Sequence, residues 1–172
     1  MRYGAIFVAT TLALAGCSSS SSTANNDAGT GTPDYASVSA ILGGREQPGI
    51  GACAASSCHG GDQAGHGGMN FKTAKDLRAL LVNVPACENS SLMRVKPGDP
   101  DHSWLWIKLT APIHNTIDGQ LTYSGTPSTC SGVSTGFGTR MPQVYGTFDK
   151  LSDAQLALVK GWIEAGAPGP KP

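Results

Sequence analysis

The chain has 172 residues with twelve basic and twelve acidic side chains, so its formal charge is zero and no basic run stands out. Near neutrality without a basic patch argues against nucleic acid as a partner. Aromatic residues make up 6% and glycines number 23, a thin apolar inventory, so disulfides or a bound group should supplement the core.

Met1 to Cys17 reads as a secretion signal. Arg2 gives a short positive start, Ala5 to Leu14 is almost wholly apolar, and the stretch closes with Leu14-Ala15-Gly16-Cys17. It is too short to span a bilayer as a mature helix. Leu-Ala-Gly-Cys resembles the bacterial lipobox, which implies a signal over residues 1–16 and acylation of Cys17; an ordinary cleaved signal peptide is the plainer alternative. Several acyl chains would anchor the protein stably at a membrane surface. The same resemblance implies, through Ser18, sorting to the outer membrane of a bacterial cell envelope, facing the periplasm or the cell surface. Loss of Arg2 leaves eleven basic and twelve acidic residues. Residues 17–33 are mostly Ser, Thr, Asn, Ala and Gly with Asp27 as the only charge, a composition that cannot fold and reads as a flexible tether. The remaining 34–170 suffices for one domain.

Within that domain, Tyr35, Val38, Ile41 and Leu42 have helical spacing, ended by Gly43-Gly44. Arg45 to Ala52, with Pro48, Gly49 and Gly51, is a loop leading into Cys53-Ala-Ala-Ser-Ser-Cys58-His59-Gly60-Gly61. Two cysteines followed directly by a histidine are the parts needed to hold a haem covalently: each thiol can add to a vinyl group and the imidazole can bind the iron. The usual motif has two residues between the cysteines; here there are four, so the loop must bulge. A Cys53–Cys58 disulfide or a Cys/His metal site fits the same residues. With Cys17 lipidated, four thiols remain. If Cys53 and Cys58 hold haem, Cys87 and Cys130 are left to pair, closing a long loop with about 2–4 kcal/mol of stabilisation. If all four form disulfides, three connectivities are open.

Thr73 to Val82 is the second predicted helix, with Thr73 as N-cap, Asp76 in the first turn and Leu77, Leu80 and Leu81 on one face. Pro97-Gly98-Asp99-Pro100 is a turn into a third, where Asp99 caps, Pro100 opens the helix, and Trp104, Leu105, Ile107, Lys108 and Leu109 follow. Pro112 to Arg140 reads as an ordered loop with a short hairpin around Gln120 to Ser124 and Cys130 as a pin. The last helix is the clearest: Ser152 caps it, Gln155 completes a capping box, Leu156, Val159, Trp162 and Ile163 form the stripe, and Gly166 with Pro168 stops it. The fold class is mainly α, a small helical domain with long loops.

Five pieces recur in one order: the Cys53-to-Gly61 motif; Gly67-Gly68-Met69-Asn70-Phe71; Val95-Lys96-Pro97-Gly98-Asp99-Pro100 with Ser103-Trp104-Leu105; Arg140-Met141-Pro142; and Leu151-Ser152 running into Trp162-Ile163-Glu164-Ala165-Gly166-Ala167. Together they resemble the cytochrome c-like domains of planctomycete and myxobacterial secreted proteins, many of them small lipoproteins. The resemblance covers about Tyr35 to Pro168. It departs in the four-residue spacer, the loop from Gln47 to Gly51 and the long segment before Arg140. It implies a cytochrome c-like fold, Cys53 and Cys58 as thioether cysteines binding haem c, His59 as proximal iron ligand and Met141 as distal ligand. A thioether is soft and favours Fe(II), and Pro142 disfavours helix at Met141, letting a loop carry its sulfur. Core gap-filling is the bland reading of Met141.

The other candidates for the distal position are His66, His102, His114, Met69 and Met93. Only seven residues from His59, His66 belongs on the same side of the ring; His102 reads as exposed, and Met69 and Met93 as packing residues. His114 is the serious alternative, giving a bis-histidine site. Gly60, Gly61, Gly67 and Gly68 would let backbone approach a porphyrin, or are plain loop glycines. Trp104 and Trp106 would face the porphyrin or only the core, Trp162 and Ile163 would pack the last helix on the first and on the haem edge or be plain core, and Arg140 would pair with a haem propionate or be surface charge. The expected function is single-electron transfer by one haem iron, with periplasmic redox proteins as partners. No Ser/His/Asp set, paired carboxylates or phosphate loop suggests an enzyme; peroxidase-like chemistry would need an open distal site. The competing readings are a disulfide-stapled surface lipoprotein without haem, and a zinc or copper module of Cys53, Cys58, His59 and His66 or His102.

Overall fold

Helix α1, Tyr35–Gly43, forms where the spacing predicts it, because Asp34 Oδ1 accepts from Ser37 N at 2.9 Å and the face of Val38, Ile41 and Leu42 is buried. The computed structural model describes residues 31–43, 53–54, 58–60, 66–72, 76–113, 120–128, 130, 136–142 and 151–171. The lipobox, residues 17–30 of the tether, Gly61, His114 and residues 44–52 before Cys53 lie outside them. Among the described residues there are four α-helices, two 3-10 turns and no strand, so the domain is mainly α. No described helix is long and apolar enough to cross a membrane.

The second predicted helix is shorter than expected. Helix α2 runs Leu77–Leu81, and its N-cap is Asp76, whose side chain accepts from Arg78 N at 2.8 Å. Thr73 lies outside the described residues. Asp76 wins the cap because its carboxylate meets a helical N–H, which places it before the helix rather than in its first turn.

The third predicted helix is two elements. Pro100–His102 forms a 3-10 turn capped by Asp99, and α3 begins only at Trp104–Thr110. Ser103 breaks the run: its backbone is extended, and its hydroxyl donates to Asp99 O at 2.8 Å and accepts from Lys96 N at 2.8 Å. A Ser hydroxyl offering such local bonds competes with helix continuation. Hydrogen bonds from Lys96 and then His102 hold the Asp99 carboxyl down at about 2.

Residues 82–95 turn back on themselves through isolated bridges, Val82 with Val95 and Pro85 with Met93, and Met93 then bridges to Ser103. The expected hairpin around Gln120 to Ser124 is not local. Gln120 pairs instead with Thr139 and Leu121 with Ile113, so the two ends of the long loop are bridged to its middle.

Helix α4, Asp153–Glu164, carries the full capping box, with Gln155 N bonded to Ser152 Oγ at 3.1 Å and Ser152 N to Gln155 Oε1 at 2.9 Å. It packs on α1 and buries Leu156, Val159, Trp162 and Ile163 as the stripe requires. Trp162 Nε1 donates to Pro168 O at 2.9 Å, folding the tail back over the helix end. Gly161 sits in mid-helix where glycine ordinarily costs stability. A Cβ there would stand 2.8 Å from the Pro33 ring, so the glycine admits the approach to α1.

Two apolar clusters result. The main one joins α1, α2 and α4 with Phe71, Val95 and Leu109. The second is Ala86, Trp104, Ile107, Leu121 and Phe137, lying under the long loop. Helix α3 serves both. Replacing Ile163, which is wholly buried, by Ala should destabilise the domain by about 2–5 kcal/mol, whereas Ser152→Ala should cost about 1 kcal/mol; urea unfolding of both variants measures the difference.

Candidate functional site

The loop that carries the two cysteines closes on itself: His59 N donates to Cys53 O at 3.1 Å. Residues 55–57 of the spacer, on which the expected bulge falls, lie outside the described residues. Phe71 N in turn donates to His59 O at 2.6 Å, and the Phe71 ring lies 5.0 Å from the imidazole, centroid to centroid. Phe71 belongs to the main cluster, so it seats His59 against the core, where only 7% of the residue is exposed.

Cys53 and Cys58 are half-buried and both are thiols. Burial pushes the Cys53 thiol up to about 11, and the neighbouring Cys58 adds to the rise. The expected partition of the other two cysteines is present: Cys87 and Cys130 are joined by a disulfide across 43 residues of sequence. It pins the long loop to the 82–95 segment.

Met141 reaches the same core from the far end of the sequence. It is half-buried against the main cluster, with its amide donating to Lys108 O at 2.8 Å at the end of α3. The Met141–Pro142 peptide is cis. Cys53, Ala54, Met69, Leu105, Trp106 and Met141 are all apolar, only partly buried, and set against that one cluster. Apolar side chains gathered this way, from four separate segments, are incompletely covered.

Of the remaining candidates, Met69 joins this group, so it packs as expected. Met93 is half-buried in the bridged segment, and its carbonyl accepts from Trp104 N. His102 is exposed, with Nδ1 2.9 Å from both Asp99 carboxylate oxygens. The backbone of His66 forms the 3-10 turn His66–Gly68, and Arg94 ties that turn to α2 by donating to Gly67 O and Leu80 O, both at 2.9 Å. Trp106 faces the main cluster and Trp104 the second. Arg140 is half-buried, and its Nε is shut from water with no acceptor bonded to it among the described residues. That setting differs from the surface charge the sequence also allowed. Among the described residues no three His, Cys, Asp or Glu side chains come together as a metal-binding group.

Sequence reasoning missed one constellation. Lys108 Nζ is buried and pairs with Glu88 Oε1 at 2.8 Å; Trp104 Nε1 donates to the other carboxylate oxygen at 2.6 Å. Nζ also donates to Phe137 O at 3.2 Å. Burial holds the Lys108 ammonium below the ordinary lysine value, while Glu88 opposes the shift. The available signal was a lysine standing among Trp104, Ile107 and Leu109 in a helix whose neighbours are apolar.

Comparison with protein-family models, with curated proteins and with solved structures found no match.

The Cys53 thiol should alkylate slowly near neutral pH, because only the thiolate attacks. In the haem-free protein its reaction with iodoacetamide, followed by peptide mass, should climb about tenfold per pH unit between about pH 7 and 9. A plateau within that range would show that the thiol is not held in its buried setting.

Proposed function

We propose that this domain is an electron carrier built around one covalently attached c-type haem. The observation that carries the reading is the convergence on a single apolar cluster of Cys53, Met141 and, through Phe71, His59. These are the donor types that attach and ligate haem, and Met141 arrives from a segment far in sequence from the one that carries Cys53 and His59. The residues fit the group in two further respects. The partly covered apolar side chains around the cluster offer a surface for a flat hydrophobic ring, and the Nε of Arg140, next to Met141 and without an acceptor among the described residues, offers a donor for a carboxylate such as a propionate.

In this reading Cys53 and Cys58 would hold the haem, each thiol adding its S–H across one vinyl double bond with no leaving group. His59 supplies an imidazole nitrogen and Met141 a thioether sulfur. The iron would supply reversible one-electron chemistry, taking an electron from one periplasmic protein and passing it to another. Phe71 orients His59, and the apolar residues exclude water. No proton-transfer residue is required. Lipidation of Cys17 and its tether would hold the carrier at a bacterial membrane, probing partners within the reach of a flexible segment.

Two alternatives gain less support. A disulfide-stapled lipoprotein without haem calls for oxidised Cys53 and Cys58, and a zinc or copper module for Cys53, Cys58, His59 and His66 or His102 as ligands; neither gives Met141 and the partly buried apolar residues on the main cluster a role.

The protein exported in a bacterium whose c-type maturation machinery accepts a four-residue spacer should retain the mass of one haem through denaturation. Its alkaline pyridine spectrum should show both vinyl groups saturated. A colourless product, beside a control cytochrome of the same spacing that is loaded, would overturn the reading. In the loaded protein, Met141→Ala should make the ferrous form bind carbon monoxide readily; carbon monoxide binding by the parent protein to the same degree would exclude Met141 as a closed ligand.

A further inference from the structure

Lys108 touches the segment that carries Met141 at both ends. Its side-chain ammonium donates to Phe137 O at 3.2 Å, and its backbone carbonyl accepts from Met141 N at 2.8 Å. Phe137 and Met141 are four residues apart, so one residue of α3 fixes the span between them. The span has little slack where it passes the ion pair. Gly138 has φ +67, a Cβ there would run into the Glu88 carboxylate, and it would stand 3.0 Å from Lys108 Nζ. Only glycine lets the chain lie so close.

The ammonium is itself immobilised. Glu88 pairs with it, Trp104 Nε1 holds the second carboxylate oxygen, and Ser128 N donates to Glu88 O at 2.9 Å. Glu88 follows Cys87 directly, so the Cys87–Cys130 disulfide anchors the same strand of contacts. Trp104, Tyr123 and Phe137 close around the pair with ring centroids 5.4 to 5.7 Å apart, and the Lys108 ammonium lies 5.9 Å from the Trp104 ring centroid. A buried pair with its hydrogen bonds filled is a specific and rigid joint.

We infer that the Lys108–Glu88 pair is a positioning device for Met141, holding residues 137–141 on α3 so that the thioether stays at one place on the main cluster. The device acts through backbone and touches no iron. Its bearing on a ligand rests on the haem reading above, but the clamp itself does not.

The test replaces both charges together, Lys108→Met with Glu88→Gln, because removing one alone leaves a buried charge unpaired and invites unfolding. Gln at 88 can still accept from Trp104. Amide hydrogen exchange is measured on the full protein, with the Leu156 N–H, bonded to Ser152 O at 2.9 Å in α4, as internal reference. The Met141 N–H should exchange at least about tenfold faster in the variant while Leu156 does not change. Equal change at both amides, or none at Met141, overturns the clamp. Should the double variant not fold, Gly138→Ala presses on the same joint from the other side and is read in the same way. In haem-loaded protein the variant should also lose the charge-transfer absorption of sulfur on Fe(III) and gain carbon monoxide binding. Retention of that absorption with Met141 exchange raised overturns the positioning role. A parent protein that never takes up haem fails the functional reading, whereas the exchange measurement still decides the clamp.

Discussion

A lysine ammonium taken out of water must be met by an opposite charge, and that requirement organises half of this domain. Lys108 is on the one helix shared by both apolar clusters, so whatever neutralises it must come close to α3. Glu88 does so from the segment that the disulfide ties to the long loop. Removing either partner would leave the other charged and dry, a loss of about 3–5 kcal/mol in comparable buried pairs. The polypeptide around the pair is therefore committed to one arrangement: Trp104 bonds the carboxylate, Phe137 presents its carbonyl, and Gly138 has no side chain to offer.

The two clusters are stabilised by different means. The main cluster is ordinary helix packing, with α1 and α4 burying complementary stripes and the capping box fixing where α4 starts. The second has few helical residues and many loop residues, and loops carry polar backbone that must find partners. Here the disulfide and the ion pair substitute for the helical hydrogen bonds the segment lacks. This is the pattern expected of a chain with so thin an apolar inventory, in which covalent and ionic constraints supplement area burial.

How much of this could be read from the sequence depends on whether the signal is local. Helix α4 was legible to the residue, since Ser152, Gln155 and the stripe act within one element. Helix α1 was legible too. The third helix was placed but not divided, because Asp99 and Pro100 announce a start while nothing in a propensity scale says that the Ser103 hydroxyl will take up Lys96 N and Asp99 O. The cap of α2 was shifted since Thr73 and Asp76 are both good caps and only the surrounding fold selects one. The pairing of Gln120 with Thr139 links residues nineteen positions apart, which periodicity cannot see. Among the site residues, the Cys87–Cys130 disulfide was one of the pairings the sequence allowed, the one that goes with Cys53 and Cys58 holding haem, but Lys108 and Glu88 were invisible as a pair. Lysine is ordinarily read as surface, and its burial becomes a signal only once its neighbours are known to face inward.

The Cys53 thiol then bears on what the site is for. A thiol pushed up by burial is a poor nucleophile at neutral pH, because little of it is thiolate. In the haem reading its part would be a bond made once and kept. Addition of a thiol across a vinyl group yields a thioether that has no charge to desolvate, and the apolar surroundings that penalise a thiolate favour that product. The same surroundings suit the neutral sulfur of Met141, which asks for no hydrogen bond and tolerates a dry site. What the half-covered apolar residues lose by facing water, a large flat ring laid against them would restore, so the environment that makes Cys53 inert as a thiol is the one in which a covalently held haem would be at home.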